Sequence, residues 1–301
     1  MTAAKLLQPR GFRYWQRRLM NALMLVLVGG SIVLALLPLG LILYQLAAEG
    51  LRYLNGDFFT QLPHSPQFCL PGQACPPVRA GMANAIVGSL TLVGLALLFS
   101  LPMGLFAGIY LAEFGHSRLG QAVRAAADLL NAAPSIVAGV FVYTLVVIGP
   151  LRLGFSAYAG GAALAVLMVA TITRSTEEML RAVPQSLREA ALALGLPRWK
   201  LTLRVVLPSA LGGIMTGVML AVARAAGETA PLLLTALSNN FWPQGLSEPT
   251  PSLPYFIYYY ATSPFKQWQQ QAWAAALVLM GLVLTLNVVA KLLGRQRFTR
   301  R

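Results

Sequence analysis

With 301 residues, 57% hydrophobic and only 11% charged, the chain is too apolar for an ordinary water-soluble domain. Its 23 Lys+Arg against 9 Asp+Glu give a formal net charge of +14, a balance that in a soluble protein would point to nucleic acid. Here the basic residues fall between long apolar runs and form no single patch, which argues against nucleic acid and for loops that orient a membrane protein in lipid.

A helix crosses the hydrocarbon layer with about 20 apolar residues. A basic tail with Lys5, Arg10, Arg13, Arg17 and Arg18 precedes the first such run, residues 19–48, which Pro38 interrupts. A removable signal peptide has a shorter apolar core and a small-residue cleavage site, so this run reads as an uncleaved span. Residues 49–81 form a polar loop rich in Pro and Gly that carries both cysteines, Cys69 and Cys75. If the loop faces an oxidising compartment a disulfide across it is plausible; two free thiols are the equal alternative, because pairing cannot be read from sequence. His64 and His116 read as loop residues, and no group of residues has metal-ligand spacing.

Further spans are expected over 82–112, 129–150, 156–173, 205–237 and 271–293, with a polar segment from Arg174 to Arg204 between the fourth and fifth. Placing both termini inside puts eighteen Lys/Arg in cytoplasmic segments and four (Arg52, Arg79, Arg152 and Lys266) on the other side, with Arg224 inside the fifth span. Basic loops are retained in the cytoplasm, so the span count is even and six fits. The expected organisation is a basic cytoplasmic tail (1–18), a first span with a periplasmic loop (19–79), a larger transmembrane domain (80–293) and a second basic tail (294–301). Tyr255, Tyr258, Tyr259, Tyr260, Trp242, Trp268 and Trp273 fall on the outer side and read first as an interfacial belt against membrane lipid. The pairs Gly104/Gly108 and Gly213/Gly217 signal close helix packing without naming partners.

The polar segment and its exit read R-E-A-A-L-A-L-G-L-P-R-W-K-L-T-L-R-V-V-L-P from Arg188 to Pro208. Helix formers over 186–194 give way to Gly195 and Pro197, which force a turn. A second amphipathic stretch with Trp199, Leu201 and Leu203 follows. A short helix presented from the membrane face suits a groove in a cytoplasmic partner; the plainer reading is an interfacial anchor. In the fifth span, Arg224 and Glu228 are charges at bilayer depth, which by default mark a functional path. Their spacing of four predicts one helix face, and the order, cation before anion, is the less favourable one for a mere neutralising pair. Arg224 offers a planar fork for a tetrahedral oxyanion, and Glu228 can accept a hydrogen bond from a protonated one, which hydrogen phosphate is and sulfate is not.

Glu189, Ala190, Ala191, Gly195, Leu207 and Pro208 match E-A-A-x-x-x-G-(x)9-I-x-L-P, with Val205 in place of Ile, and so resemble the signature of ABC importer permeases. Four more stretches (81–90, 108–115, 131–139 and 224–236) are similar to the PstA-type permeases of phosphate importers, a likeness covering residues 80–293 well and the first span loosely. The Cys69/Cys75 loop is not part of that likeness. The resemblance implies an all-α polytopic bundle of six spans with a cytoplasmic coupling helix, the fold of a type I ABC importer permease. It further implies a transport role and no enzymatic one, with docking through the signature residues and transport-critical charges at Arg224 and Glu228.

The chain contains no G-x-x-x-x-G-K-[ST], so the expectation is that it binds no cofactor itself and that ATP and Mg sit on a separate ATPase. Partners implied by the resemblance are a PstC-type sister permease, a PstB-type ATPase dimer and a PstS-type periplasmic phosphate-binding protein, in a bacterial inner membrane. A permease for another solute, such as molybdate or an amino acid, would share the signature; only the region around Arg224 argues against it. A membrane enzyme would need paired carboxylates, a nucleophile or a metal cluster at one depth, and Glu228 is the single acidic residue in the six expected spans. Asn84, Ser89, Asn131 and Ser135 are polar span residues that could line a path, although such residues more often pack or cap helices.

Overall fold

A computed structural model describes residues 12–64 and 80–298. Cys69 and Cys75, and with them the question of their pairing, lie outside the described residues. Every regular element among the described residues is helical. Two compact units divide at residue 49. The first is the long apolar helix α1 (Phe12–Tyr53), which begins in the basic tail and runs on into the second unit. It passes through Pro38 without a break, where a terminus would be the soluble-protein outcome; in membrane helices proline is tolerated in this way.

The second unit holds α2 (Gly56–Thr60), α3 (Ala83–Phe114), α4 (Arg118–Ala132), α5 (Ser135–Val142), α6 (Ala157–Arg181), α7 (Gln185–Ala193), α8 (Arg198–Leu201), α9 (Leu207–Ala226), α10 (Ala230–Thr235), α11 (Leu253–Ala261) and α12 (Lys266–Phe298). Five helical segments among the described residues are long and apolar enough to cross a membrane, with α8 and α9 counted as one, and the bent pair α4–α5 makes a sixth if it is one span.

The central helix is α6, whose Ser156 cap accepts the Ala159 amide and whose first half is built from alanines and glycines. Both glycine pairs seen in the sequence pack on it. A Cβ built on Gly104 would stand 2.7 Å from Ile172 Cβ, and one on Gly108 2.5 Å from Thr176 Cβ, so α3 meets α6 nearly backbone to backbone. Gly213 and Gly217 of α9 are closed in the same way by Met179 and Ser175 on the adjacent stripe of α6. Without a hydrophobic force between helices in lipid, such close approach is what supplies dispersion contact.

Two expected spans are broken. The third turns through 108° between α4 and α5. Pro134 is the cause: a proline disfavours helical backbone in the residue before it, and Ala133 is extended at φ −68°, ψ 141°. The expected fifth span ends as α9 at Ala226 and resumes as α10 at Ala230, around Gly227 and ahead of Pro231. The segments that follow the two breaks pack closely, since a Cβ on Gly139 of α5 would come within 2.7 Å of Pro231 Cα in α10. At its start α9 follows a π-turn over Thr202–Val206, where Leu207 N–H reaches back to the Thr202 carbonyl, just before Pro208 withholds an amide.

The outer aromatic group is only partly a surface belt. Tyr260 is buried and lies parallel to Trp268, with ring centroids 4.5 Å apart, so this pair joins α11 to α12 as core. Tyr258, Tyr259 and Trp242 are exposed, as a belt requires.

Candidate functional site

The segment from Arg188 to Pro208 forms as its local signals direct. Helix α7 ends at Ala193, and Gly195 takes φ +76°, the left-handed conformation that glycine enters without steric cost. Gly195 N–H donates to the Leu192 carbonyl at 2.9 Å and Leu196 N–H to the Ala191 carbonyl at 3.4 Å, the paired bonds of a Schellman stop. Ala191 is buried and ties α7 to the bundle, whereas Glu189 and Ala190 face outward. Leu194 is 83% exposed and Trp199 62%, and with Leu192 and Leu203 they leave an apolar face that the chain itself does not cover. Leu207 and Pro208 are half-buried where the segment enters α9.

Arg224 and Glu228 are brought together, but not on one helix face. Arg224 sits in the last turn of α9, where the helix dipole favours a cation, and Glu228 lies in the break beyond the Gly227 cap. The unfavourable order argued for a continuous helix therefore does not arise. Arg224 Nε stands 3.6 Å from Glu228 Oε1, too far for a hydrogen bond, and the Arg224 side chain is 45% exposed against 18% for Glu228. The guanidinium donors are thus free to meet a ligand. A groove of about 570 Å³ opens beside the break, lined by Gly227, Thr229, Pro254 and Tyr258 and walled by apolar residues of α12.

Sequence reasoning missed a second charged group. Helix α6 does not stop at Thr173 but continues two turns to Arg181, so Glu228 is not alone among acidic residues in long apolar helices. Glu177, 1% exposed, accepts from Arg124 Nη2 at 2.6 Å and Nε at 3.0 Å and from Arg174 Nη1 at 2.7 Å, and forms an ion pair with Arg181 Nη2 at 3.0 Å. Arg174 Nε also meets Asp128 of α4 at 2.9 Å. Arg124 and Arg181 donate in addition to the Gly115 and Leu111 carbonyls of the α3 end, and a side chain at Gly115 would strike both guanidinium groups. The signal was available as R-x-x-E and E-x-x-x-R, spacings of three and four that match a helix.

Of the four polar residues considered for a path, Asn84 is fully buried and donates to the Asn239 and Phe241 carbonyls at 3.3 and 3.2 Å. Ser89 Oγ accepts the Leu253 amide at 2.8 Å and anchors α11. Asn131 accepts from Thr171 at 3.1 Å across α4 and α6, and Ser135 opens α5. Three of the four therefore pack helices or hold loops. His64 and His116 lie in loops, and no metal-binding group occurs among the described residues.

An all-helical bundle with broken spans and a short helix with an uncovered apolar face is the architecture of ABC importer permeases. The fold is similar to that of a chain of a bacterial alginate ABC transporter solved with an alginate pentasaccharide-bound periplasmic protein, with TM-score 0.61, 18% identity, and 96% of this chain and 98% of that one covered. Residues 100–298 match the model of the binding-protein-dependent transport system inner membrane component family. Over 291 residues the chain is 42% identical to the phosphate transport system permease protein PstA of Yersinia pestis, covering 96% of this chain and 95% of that protein. It is 43% identical to the PstA of Haemophilus influenzae, covering 94% and 96%. The chain belongs to the binding-protein-dependent transport system inner membrane component family and, within it, to the PstA permeases. It is a multi-pass inner-membrane transport component and not an enzyme.

Proposed function

We propose that this chain is a permease subunit of an ATP-driven phosphate importer and forms half of the translocation pathway, with residues 80–293 as its permease domain. The observation that carries the reading is the Arg224 guanidinium, half exposed and without a hydrogen bond among the described residues, at a break between two helices. Irregular backbone at membrane depth is tolerated where it lines a cavity, and interrupted helices are a recurrent way of building transport sites. Arg224 presents two parallel N–H groups to a phosphate, and the Glu228 carboxylate accepts a hydrogen bond from the protonated oxygen of its monohydrogen form. The naming of its relatives as phosphate permeases favours this cargo over molybdate or an amino acid.

Docking runs through Glu189, Ala190, Ala191 and Gly195, with Leu207 and Pro208 setting the return into α9. The apolar face around Leu194 and Trp199 enters a groove on an ATPase subunit. This chain holds no cofactor; ATP and Mg are bound by the ATPase dimer. A PstC-type sister permease completes the pathway, and a PstS-type periplasmic protein delivers phosphate. Both termini lie in the cytoplasm, as the distribution of Lys and Arg favours. A disulfide between Cys69 and Cys75 is a fit for the periplasmic loop.

The test is phosphate uptake by the assembled importer carrying Arg224→Gln. Uptake is abolished while the complex assembles; uptake equal to the parent's overturns the pathway role. Replacing Glu189 and Gly195 together detaches the ATPase, and normal co-purification from that double variant overturns the docking assignment.

A further inference from the structure

The charged network has an arm that neither docking nor the pathway uses. Arg188 precedes Glu189 in α7, yet its side chain turns inward and is 15% exposed. Its Nη1 meets Glu113 Oε1 at 2.9 Å, and its Nη2 donates to the Leu180 carbonyl at 2.8 Å. Glu113 is the penultimate residue of α3 and Leu180 the penultimate residue of α6. One planar guanidinium therefore reaches the ends of two long helices from the docking helix, a geometry a lysine ammonium cannot reproduce.

The same end of α3 is held by two further arginines. Arg181 holds the Leu111 carbonyl and Arg124 the Gly115 carbonyl, and both are fastened to buried Glu177. Among the described residues, Ala191 is the one residue of α7 that is buried.

We propose that Arg188 is a positioning residue that ties the docking helix to the ends of α3 and α6, so that displacement of α7 by the ATPase is passed to both helices together. This rests on the reading of α7 as the ATPase-docking element. Arg188 itself touches neither cargo nor nucleotide. Its removal leaves the ATPase attached and disconnects hydrolysis from transport.

The experiment uses the complete importer in proteoliposomes with its phosphate-binding protein. Phosphate uptake and ATP hydrolysis are measured on the same vesicles, and ATPase stoichiometry on the purified complex. Arg188→Ala retains the ATPase at the parental ratio and lowers phosphate transported per ATP by about tenfold. Glu113→Gln keeps the Leu180 arm and lowers it by about threefold, with Arg188→Lys falling between the two. If Arg188→Ala fails to accumulate in the membrane, the other two variants carry the test. Parental transport per ATP in the variants overturns the proposal, and so does loss of the ATPase from Arg188→Lys, which would make the residue part of the docking surface. Retention of the ATPase by the Glu189 and Gly195 double variant, in contrast, refutes the docking reading and leaves the measured effect of Arg188 as a separate fact.

Discussion

Replacing Glu177 by Gln removes one negative charge and leaves almost the same volume. Three guanidinium groups, those of Arg124, Arg174 and Arg181, then converge on a neutral amide that is 1% exposed. Breaking a buried ion pair from one side costs about 3–5 kcal/mol. The three arginines are themselves 25–44% exposed and regain part of their hydration, which places the loss at the lower end, about 3 kcal/mol. Arg181→Gln leaves the carboxylate with two cations and costs less, about 1 kcal/mol. Thermal unfolding of the purified permease followed by tryptophan fluorescence checks both. A fall of about 6 °C is expected for Glu177→Gln and about 2 °C for Arg181→Gln. Equal shifts for the two variants, or a Glu177→Gln melting point within about a degree of the parent, would refute the view that one buried anion organises this end of the bundle.

Gly195→Ala places a Cβ at φ +76° and costs about 1 kcal/mol, and the loosened turn lowers the fraction of ATPase that co-purifies; undiminished co-purification contradicts the role of the turn. Gly108→Leu drives a side chain into Thr176 and destabilises by about 1–3 kcal/mol or more, read as a lowered melting point, whereas exposed Gly94 accepts the same change with little effect. Pro134→Ala frees Ala133 from its extended conformation, so paired spin labels at the far ends of α4 and α5 move apart; an unchanged distance distribution shows that packing alone holds the bend.

The turn between α7 and α8 was legible because its determinants are local: Gly195 and Pro197 stop a helix whatever surrounds them. The broken spans were written in the sequence too, at Pro134 and at Gly227 with Pro231, but a count of apolar residues runs straight through such positions. Hydropathy reports what lipid tolerates and is silent on where the backbone turns. Glu177 was hidden for the opposite reason. Its charges made 174–181 look like a loop, whereas Arg124, 53 residues away in α4, pairs with Glu177 and lets α6 continue. Tyr260 shows the same limit, since only the parallel contact with Trp268 separates a core ring from its exposed neighbours. The pairing of Arg224 with Glu228 was foreseen, and the helix end between them was not.

The glycines that seat α3 and α9 on α6 have a mechanical consequence. Where side chains are absent, the ridges of one helix drop into the backbone of the next, and sliding along the axis would first have to lift the two apart. The three helices therefore form one tightly seated body, which ends on one side at the break around Gly227. A push at one end of α6 is then shared by α3 and α9, with little of the displacement absorbed between them.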